Sequence, residues 1–177
     1  MELIPVLQMM RMDPVIKANE GDKIEGSLRG EIEFKNVSFK YPSRPDVKVL
    51  KDYNLTIQEG EMVAFCGESG CGKTTTIKLV LRNYDATQGE ILIDGKNIKS
   101  YSLKSLHRQI GVVSQEPSLM KATLEENIAY GVDSYTQEEL INACKDANAY
   151  DFIMDKNKFP LGFKTKIDEG GGNLSGG

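Results

Sequence analysis

The sequence predicts an α/β fold, on three observations. Residues 31–41 alternate polar and apolar side chains for much of their length, which is typical of a half-buried strand. Residues 62–66 are continuously apolar, as expected of a strand covered on both faces. Residues 74–81 then space apolar side chains at i, i+3 and i+4, which indicates one face of a helix. A strand–loop–helix unit is therefore the expected centre of the fold.

The composition is that of a globular domain. The chain has 177 residues, of which 40% are hydrophobic and 27% charged, and this excludes collagen-like and wholly disordered chains. Its length predicts about one domain. The formal net charge of -4 argues against a nucleic-acid-binding protein. No apolar run approaches the roughly 20 residues that cross a bilayer.

The first thirty residues contain no clear secretory signal, because no basic segment precedes the apolar one. Residues 1–12 are rich in Met and Leu and predict the end of a helix, which Asp13-Pro14 would stop. Residues 19–30 are polar and contain glycine, which indicates a linker. The folded domain is therefore expected to begin near Gly30. The three cysteines show no metal-ligand spacing and are expected to be reduced thiols; they are Cys66, Cys71 and Cys144.

The remaining strands follow from alternation, apolar runs and turn signals. Residues 42–45 predict a turn, and residues 47–57 resume strand-like alternation. Residues 90–93 predict a strand that enters a tight hairpin turn at Asp94-Gly95. Residues 110–113 predict another buried strand. The expected inward-facing side chains of the second strand are Val47, Val49, Leu55 and Ile57.

The helices are marked by capping signals. Ser102 is expected to cap a short helix that runs through Arg108. Residues 123–126 and 136–139 both match the capping box, in which a Thr hydroxyl and a Glu carboxylate satisfy orphan backbone donors. Residues 149–154 predict a third later helix. In the helix after Thr136, one face is expected to carry Leu140, Ile141, Cys144 and Ala147. In the helix over residues 74–81, the apolar face is formed by Ile77, Val80 and Leu81.

The glycine-rich motif at residues 67–74 is the strongest indication of function in the sequence. Its glycines let the backbone wrap around a polyphosphate, and the helix that follows directs its positive dipole end at the same anion. Lys73 is expected to reach the β- and γ-phosphates, and the Thr74 hydroxyl is expected to complete a Mg²⁺ shell. The residues that match G-x-x-x-x-G-K-[ST] are Gly67, Glu68, Ser69, Gly70, Cys71, Gly72, Lys73 and Thr74.

With this motif, the sequence resembles the nucleotide-binding domains of ATP-binding cassette (ABC) transporters. Tyr41-Pro42 looks like the aromatic that stacks on adenine in that family. Gln115 looks like the Q-loop glutamine, which contacts Mg²⁺ and the attacking water and senses the transmembrane domain. Leu174-Ser175-Gly176-Gly177 is similar to the start of the signature motif, which contacts the γ-phosphate of the opposite subunit. Residues 30–34, 41–45 and 123–131 look like the multidrug exporter, or P-glycoprotein-like, branch.

The resemblance implies a P-loop NTPase fold with an antiparallel β subdomain and a helical subdomain at about residues 116–177. It also implies that residues 1–29 continue from a transmembrane domain and that residues 30–177 form a partial nucleotide-binding domain. The C-terminal part of that domain is expected to be missing: the Walker B strand, its catalytic Glu and the switch histidine. His107 precedes Gln115 and is not expected to be that histidine.

The function implied by the resemblance is binding of ATP with Mg²⁺ and, in the intact parent, ATP hydrolysis that drives export of small molecules. The implied partners are a second nucleotide-binding domain in a head-to-tail dimer and the transmembrane domain of the same transporter, with no nucleic acid. The domain would lie on the cytoplasmic side of a membrane. Lys73 and Gln115 are the implied catalytic residues. The implied nucleotide contacts are Tyr41, residues 67–75 including Thr75, Gln115, Ser175, Gly176 and Gly177, with Thr74 and Gln115 at the metal.

Two other classes of function stay open at this stage. One is a soluble ABC-type ATPase of the DNA-repair or chromosome-maintenance kind, although no sustained heptads occur between Gln115 and Leu174. The other is a non-catalytic nucleotide-binding or dimerisation module. Arg44 and Lys48, which lie near the expected adenine end, are assigned to solvated surface.

Overall fold

A computed structural model of the chain describes residues 13–114 and 119–168. The chain divides into two compact units, Met1–Val112 and Val113–Gly177. Among the described residues, no helix has the length and apolar character needed to cross a membrane. The predicted helix end at residues 1–12 lies outside the described residues.

The first unit contains a four-stranded sheet in which every neighbouring pair is antiparallel, in the order β2-β1-β3-β4. The sheet confirms the strand predicted at residues 31–41 and the hairpin predicted at Asp94-Gly95. It also has the antiparallel character that the resemblance implies. Its strands are β1 Ile32–Phe39, β2 Leu50–Ile57, β3 Gln88–Ile93 and β4 Lys96–Asn97.

The core of the first unit is centred on β1. Phe34 and Phe39 are almost fully buried, and Phe34 lies opposite Leu55 on β2 and Ile91 on β3. Full burial of a Phe side chain contributes about 1.5–3 kcal/mol. The central strand therefore holds both of its neighbours through shared apolar contacts.

The second strand departs from its predicted alternation. Val47 is 54% exposed, and β2 begins only at Leu50, which is buried. Asp52 has a left-handed φ of 44°, and the register with β1 shifts on both sides of Val37. The prediction that Val47 faces inward is wrong because Val47 lies before the strand begins, while Leu55 is half-buried as part of the strand.

Two runs that the sequence predicts as buried strands are not strands in the structure. Residues 62–66 and 110–113 have no strand assignment, and Met62 and Val113 are 97% and 99% exposed. An apolar run becomes a strand only where a neighbouring backbone supplies hydrogen-bond partners. Within the described residues, the sheet includes no strand that pairs with either run.

Three helical segments complete the first unit as described. Helix α1 (Lys73–Val80) confirms the helix predicted after the glycine-rich loop, and α2 (Leu103–His107) begins at Ser102, whose side chain accepts a hydrogen bond from the Ser105 amide. A 3₁₀ turn spans Ile98–Ser100.

The predicted apolar face of α1 is wrong at Ile77, which is 44% exposed. The buried side chains of this helix are Thr75, Thr76 and Leu79. Both threonine hydroxyls have partners, because Thr76 bonds to the Gly72 carbonyl and Thr75 to Tyr41. A hydroxyl that is hydrogen-bonded can be buried at little cost, so the buried face need not be apolar.

Residues 19–30, predicted as a linker, have no helix or extended strand but are tied to the first unit by hydrogen bonds. The Asp94 carboxylate accepts from the amides of Arg29, Gly30 and Glu31 at 2.7, 3.0 and 3.0 Å. The Ile24 amide donates to Ser105 Oγ at 2.7 Å. The domain boundary at residue 30 stays a prediction.

The second unit is helical over its described residues. It contains α3 (Leu124–Ile128), α4 (Gln137–Asp146), α5 (Tyr150–Met154) and a 3₁₀ turn at Gly162–Lys164, which confirms the three later helices predicted from the sequence. Ala147 is exposed rather than on the buried face of α4, because the helix ends one residue before it. The buried core residues are Leu124, Cys144, Ile153, Phe159 and Ile167.

Both predicted capping boxes are present. Thr123 and Thr136 each accept from the amide three residues later, and Glu126 and Glu139 each accept from the amide of the capping Thr. These hydrogen bonds favour the carboxylate form, so the pKa of both glutamates lies below its usual value of about 4.5. Burial raises the pKa of the Cys144 thiol, which favours its protonated form.

We expect Thr136→Ala to lower the free energy of unfolding by about 1 kcal/mol, because a lost N-cap hydroxyl leaves an orphan amide. Thr136→Ser keeps the hydroxyl and is the matched control. Urea titrations at pH 7 measure both variants. Equal losses in the two variants would contradict the capping role.

The same cap has a pH dependence of known sign. Folding lowers the pKa of Glu139. The carboxylate of Glu139 therefore contributes fully to the free energy of unfolding above about pH 4.5, and this contribution is lost as the pH falls through the folded-state pKa.

Candidate functional site

The glycine-rich loop and the first turn of α1 form one hydrogen-bonded unit. The Lys73 ammonium donates to the carbonyl oxygens of Gly67 and Glu68, each at 2.7 Å, and its Nζ lies 3.6 Å from Cys71 Sγ. The side chain of the first helical residue therefore reaches back across the loop that precedes it. This contact keeps a positive charge at the centre of the loop.

Gly72 is a position of the loop that requires glycine. This residue is the N-cap of α1 and has a φ of 102°, which L side chains rarely adopt. A Cβ there would lie 2.8 Å from Leu50 Cδ2, closer than real Cβ contacts allow. Gly72 thus lets the start of α1 pack directly against the first residue of β2.

The N-terminus of α1 has no side-chain cap. Helices α2, α3 and α4 are capped by Ser102, Thr123 and Thr136, whereas the cap of α1 is a glycine and that of α5 is Ala149, neither of which supplies a side-chain acceptor. Within the described part of the chain, the amides at the start of α1 donate to no acceptor. These amides belong to Gly72, Lys73, Thr74 and Thr75. Unpaired helix N-terminal amides together with a lysine ammonium have the chemistry that suits an anion.

Tyr41 lies beside the N-terminal end of α1. Its hydroxyl is 3.0 Å from Thr75 Oγ1, in the first turn of α1. Its ring makes edge contacts with Phe39 and Tyr84, with centroids 4.9 and 5.2 Å apart. Lys78 Nζ lies 5.6 Å from the centre of the Tyr41 ring. The aromatic side chain is therefore held in place by contacts on several sides.

A cavity of about 420 Å³ joins Tyr41 to the loop. No acidic residue lines it, and Arg44 and Lys73 give it two positive charges. Its lining residues are Tyr41, Arg44, Val47, Val49, Ser69, Gly70, Gly72, Lys73, Thr74 and Thr75. The cavity thus brings the predicted Tyr41 together with most of the predicted loop residues. Gly67, Glu68 and Cys71 belong to the loop but not to this lining.

Arg44, Val47 and Val49 are cavity residues that the sequence analysis did not assign to the site. Arg44 is exposed, as predicted, but it also lines the cavity because the turn folds it back: its amide donates to the Tyr41 carbonyl at 2.9 Å. The proline-flanked turn after Tyr41 is the sequence signal that could have placed Arg44 there. Lys48 is exposed.

Several predicted site residues lie outside the described residues. They are Gln115, Ser175, Gly176 and Gly177, and their roles stay predictions. His107 is described: its Nε2 lies 2.7 Å from the Leu81 carbonyl oxygen, at the C-terminal end of α1. Cys66 and Cys71 are exposed free cysteines and Cys144 is a buried one.

A glycine-rich loop that matches G-x-x-x-x-G-K-[ST] and opens a helix, as residues 67–74 open α1, is the motif of P-loop nucleotide-binding domains. The family model described as ABC transporter matches residues 50–177. The chain belongs to the ABC transporter family. This membership confirms the P-loop NTPase fold class and the resemblance found from the sequence, and it implies a nucleotide-binding domain.

Relatives of the multidrug transporter type are similar over most of the chain. The ABC multidrug transporter atrD of Emericella nidulans is 50% identical over 162 residues, which are 90% of this chain and 12% of that protein. The ABC transporter B family member 19 of Arabidopsis thaliana is 47% identical over 94% of this chain and 13% of its own length. The leptomycin B resistance protein pmd1 of Schizosaccharomyces pombe is 45% identical over 90% of this chain. The chain therefore spans about an eighth of the length of atrD and of B family member 19.

We expect Gly72→Ala to destabilise the first unit more than Gly70→Ala. Both replace a glycine of positive φ, which costs about 1–2 kcal/mol, but only the Cβ at residue 72 meets a neighbour, and such overpacking costs about 1–3 kcal/mol more. Thermal unfolding of the two variants measures the difference. If Gly70→Ala lowered the melting temperature as much as Gly72→Ala does, Gly72 would not pack against Leu50.

Proposed function

We propose that this chain binds ATP with Mg²⁺ in the cavity between Tyr41 and the loop at residues 67–74. The observation that carries the proposal is the group of unpaired amides at the start of α1 beside the Lys73 ammonium. A polyphosphate supplies the acceptors that these donors lack. The family assignment supports the same ligand.

The triphosphate would occupy the loop end of the cavity. The amides of Gly72, Lys73 and Thr74 would donate to phosphate oxygens, and Lys73 would exchange its two carbonyl partners for them. Its ammonium already lies over the loop, so little side-chain entropy is lost on binding. The absence of acids from the cavity lining means that no carboxylate opposes the negative ligand.

The base would occupy the end of the cavity formed by Tyr41, Arg44 and Val47. An aromatic ring stacks on any base, and apolar side chains such as Val47 cover the rest of a purine surface. The contacts of Tyr41 with Phe39 and Thr75 fix its ring before the nucleotide arrives. A fixed ring pays a smaller ordering cost on binding.

Thr74 is the residue of the described chain that would hold Mg²⁺. Its exposed side chain lines the cavity next to Lys73. Mg²⁺ usually takes one or two protein oxygens, with phosphate oxygens and water filling the rest of its shell, so a single hydroxyl fits this ion. The ion would neutralise part of the phosphate charge at the loop. Gln115 is proposed as a second protein contact.

For the intact parent, we propose ATP hydrolysis coupled to export across a membrane, with the domain on the cytoplasmic side. The proposed partners are a second nucleotide-binding domain, which would place Ser175, Gly176 and Gly177 against a γ-phosphate, and the transmembrane domain. The similarity to multidrug transporters supports this assignment and does not favour a soluble DNA-repair ATPase. Lys73 and Gln115 are the proposed catalytic residues of this chain.

Phosphate binding by Lys73 is tested with Lys73→Ala. We expect this variant to bind Mg-ATP about 10- to 100-fold more weakly, because a charge-assisted hydrogen bond contributes about 1.5–3 kcal/mol. Lys99→Ala, an exposed lysine outside the site, is the control for the loss of one charge. Titration of a fluorescent ATP analogue measures all three proteins. Equal affinity of the wild type and Lys73→Ala would show that Lys73 does not bind the phosphates.

Base stacking is tested with Tyr41→Ala and Tyr41→Phe. Loss of the ring costs about 1–3 kcal/mol of stacking, so we expect Tyr41→Ala to bind Mg-ATP much more weakly while Tyr41→Phe stays within about threefold of the wild type. Neither variant should change the affinity for inorganic tripolyphosphate, which has no base. Equal losses in both variants would mean that the hydroxyl contact with Thr75, rather than the ring, matters.

A further inference from the structure

A second cavity in the first unit shares the electrostatic character of the nucleotide cavity. Its volume is about 610 Å³, which is within the usual range of small-molecule sites. Its lining contains three basic side chains, four neutral polar ones and a single apolar one, with no acid and no aromatic ring. These residues are Asn19, Lys23, Ile24, Ser102, Lys104, Ser105, Arg108 and Gln109.

Two of the three basic side chains that line this cavity, Lys23 and Lys104, form no ion pair with a carboxylate of the described residues. Both acids of residues 18–24 pair with other lysines: Asp22 pairs with Lys96 at 2.7 Å, and Glu20 pairs with Lys17 at 3.0 Å. Two ammonium groups therefore remain for an anion that enters the cavity.

The cavity also offers hydroxyl donors. Ser102 Oγ accepts from the Ser105 amide at 3.3 Å, and Ser105 Oγ accepts from the Ile24 amide at 2.7 Å. Neither hydroxyl donates to an acceptor among the described residues. Each can therefore give its proton to a ligand oxygen. Ser102 is only 5% exposed, so its donor lies at the wall of the cavity rather than on the open surface.

The walls of the cavity are joined by backbone hydrogen bonds between distant parts of the chain. The Lys104 amide donates to the Ala18 carbonyl at 3.1 Å, and the Ser102 amide donates to the Asp22 carbonyl at 2.9 Å. Segment 18–24 is thereby fixed against the start of α2 without any ligand. A binding site that is already ordered without its ligand loses less conformational entropy when the ligand binds.

We propose that this cavity binds a phosphorylated polyol, as a site separate from the nucleotide cavity and independent of the function proposed above. The ammonium groups of Lys23 and Lys104 bind phosphate oxygens, and the hydroxyls of Ser102 and Ser105 donate to the same oxygens or to the polyol. A polar lining without an aromatic ring matches a hydroxylated body better than a nucleobase. The same chemistry is offered by a soluble polyol phosphate and by the inositol headgroup of a lipid.

The test is a titration of the full 177-residue chain with myo-inositol 1,4,5-trisphosphate. Binding is monitored through the amide chemical shifts of ¹⁵N-labelled protein. We expect saturating shifts at Ile24, Ser102 and Ser105. Lys23→Glu and Lys104→Glu should each weaken this binding at least tenfold. Lys51→Glu reverses the charge of an exposed lysine on β2, outside the cavity, and should leave the affinity unchanged.

The amide spectrum separates this site from the nucleotide site and shows whether each variant is folded. Shifts confined to Gly70 and Lys73 would overturn the cavity proposal and leave the ATP proposal standing. Equal affinities of Lys104→Glu and Lys51→Glu would also overturn it. A sedimentation assay distinguishes a lipid headgroup from a soluble polyol phosphate as the ligand. It compares vesicles that contain phosphatidylinositol 4,5-bisphosphate with phosphatidylcholine vesicles. Vesicle binding competed by the soluble trisphosphate indicates a lipid headgroup, and binding of the trisphosphate alone indicates a soluble ligand.

Discussion

The candidate nucleotide site depends on the uncapped start of α1. A buried or half-buried helix N-terminus normally finds a side-chain oxygen for its amides, as α2, α3 and α4 do. At α1 the cap is Gly72, so the amides that follow remain available. An anion supplies these amides with a stronger acceptor than water does. The other features of the site, including the ammonium of Lys73 and the acid-free cavity, favour that same anion.

Local signals in the sequence predict much of the fold because the interactions they describe are local. A capping box joins groups three residues apart, so Thr123 and Thr136 predict their helices without knowledge of the tertiary structure. The hairpin at Asp94-Gly95 is similarly determined by its own two residues. The loop at residues 67–74 is recognised for the same reason, since its backbone conformation and its lysine belong to one short segment.

Predictions that depend on distant neighbours fail more often. Residues 62–66 and 110–113 have the composition of buried strands, but their burial requires strands beside them, which a pattern of apolar residues does not specify. The inward face of α1 is also set by its neighbours, so Thr75 is buried against Tyr41 while Ile77 is exposed. Arg44 enters the nucleotide cavity through a turn. The second cavity joins Ile24 to Ser105, 81 residues apart in sequence.

The central claim is that the amides at the start of α1 bind the phosphates of ATP, and hydrogen exchange measures those amides directly. With saturating Mg-ATP, we predict that the exchange of the Gly72, Lys73 and Thr74 amides slows at least tenfold, while the already capped amide of Glu139 in α4 exchanges at an unchanged rate. Adenosine, which lacks phosphates, should protect none of them. Unchanged exchange at all three amides in a chain that binds Mg-ATP would contradict the account.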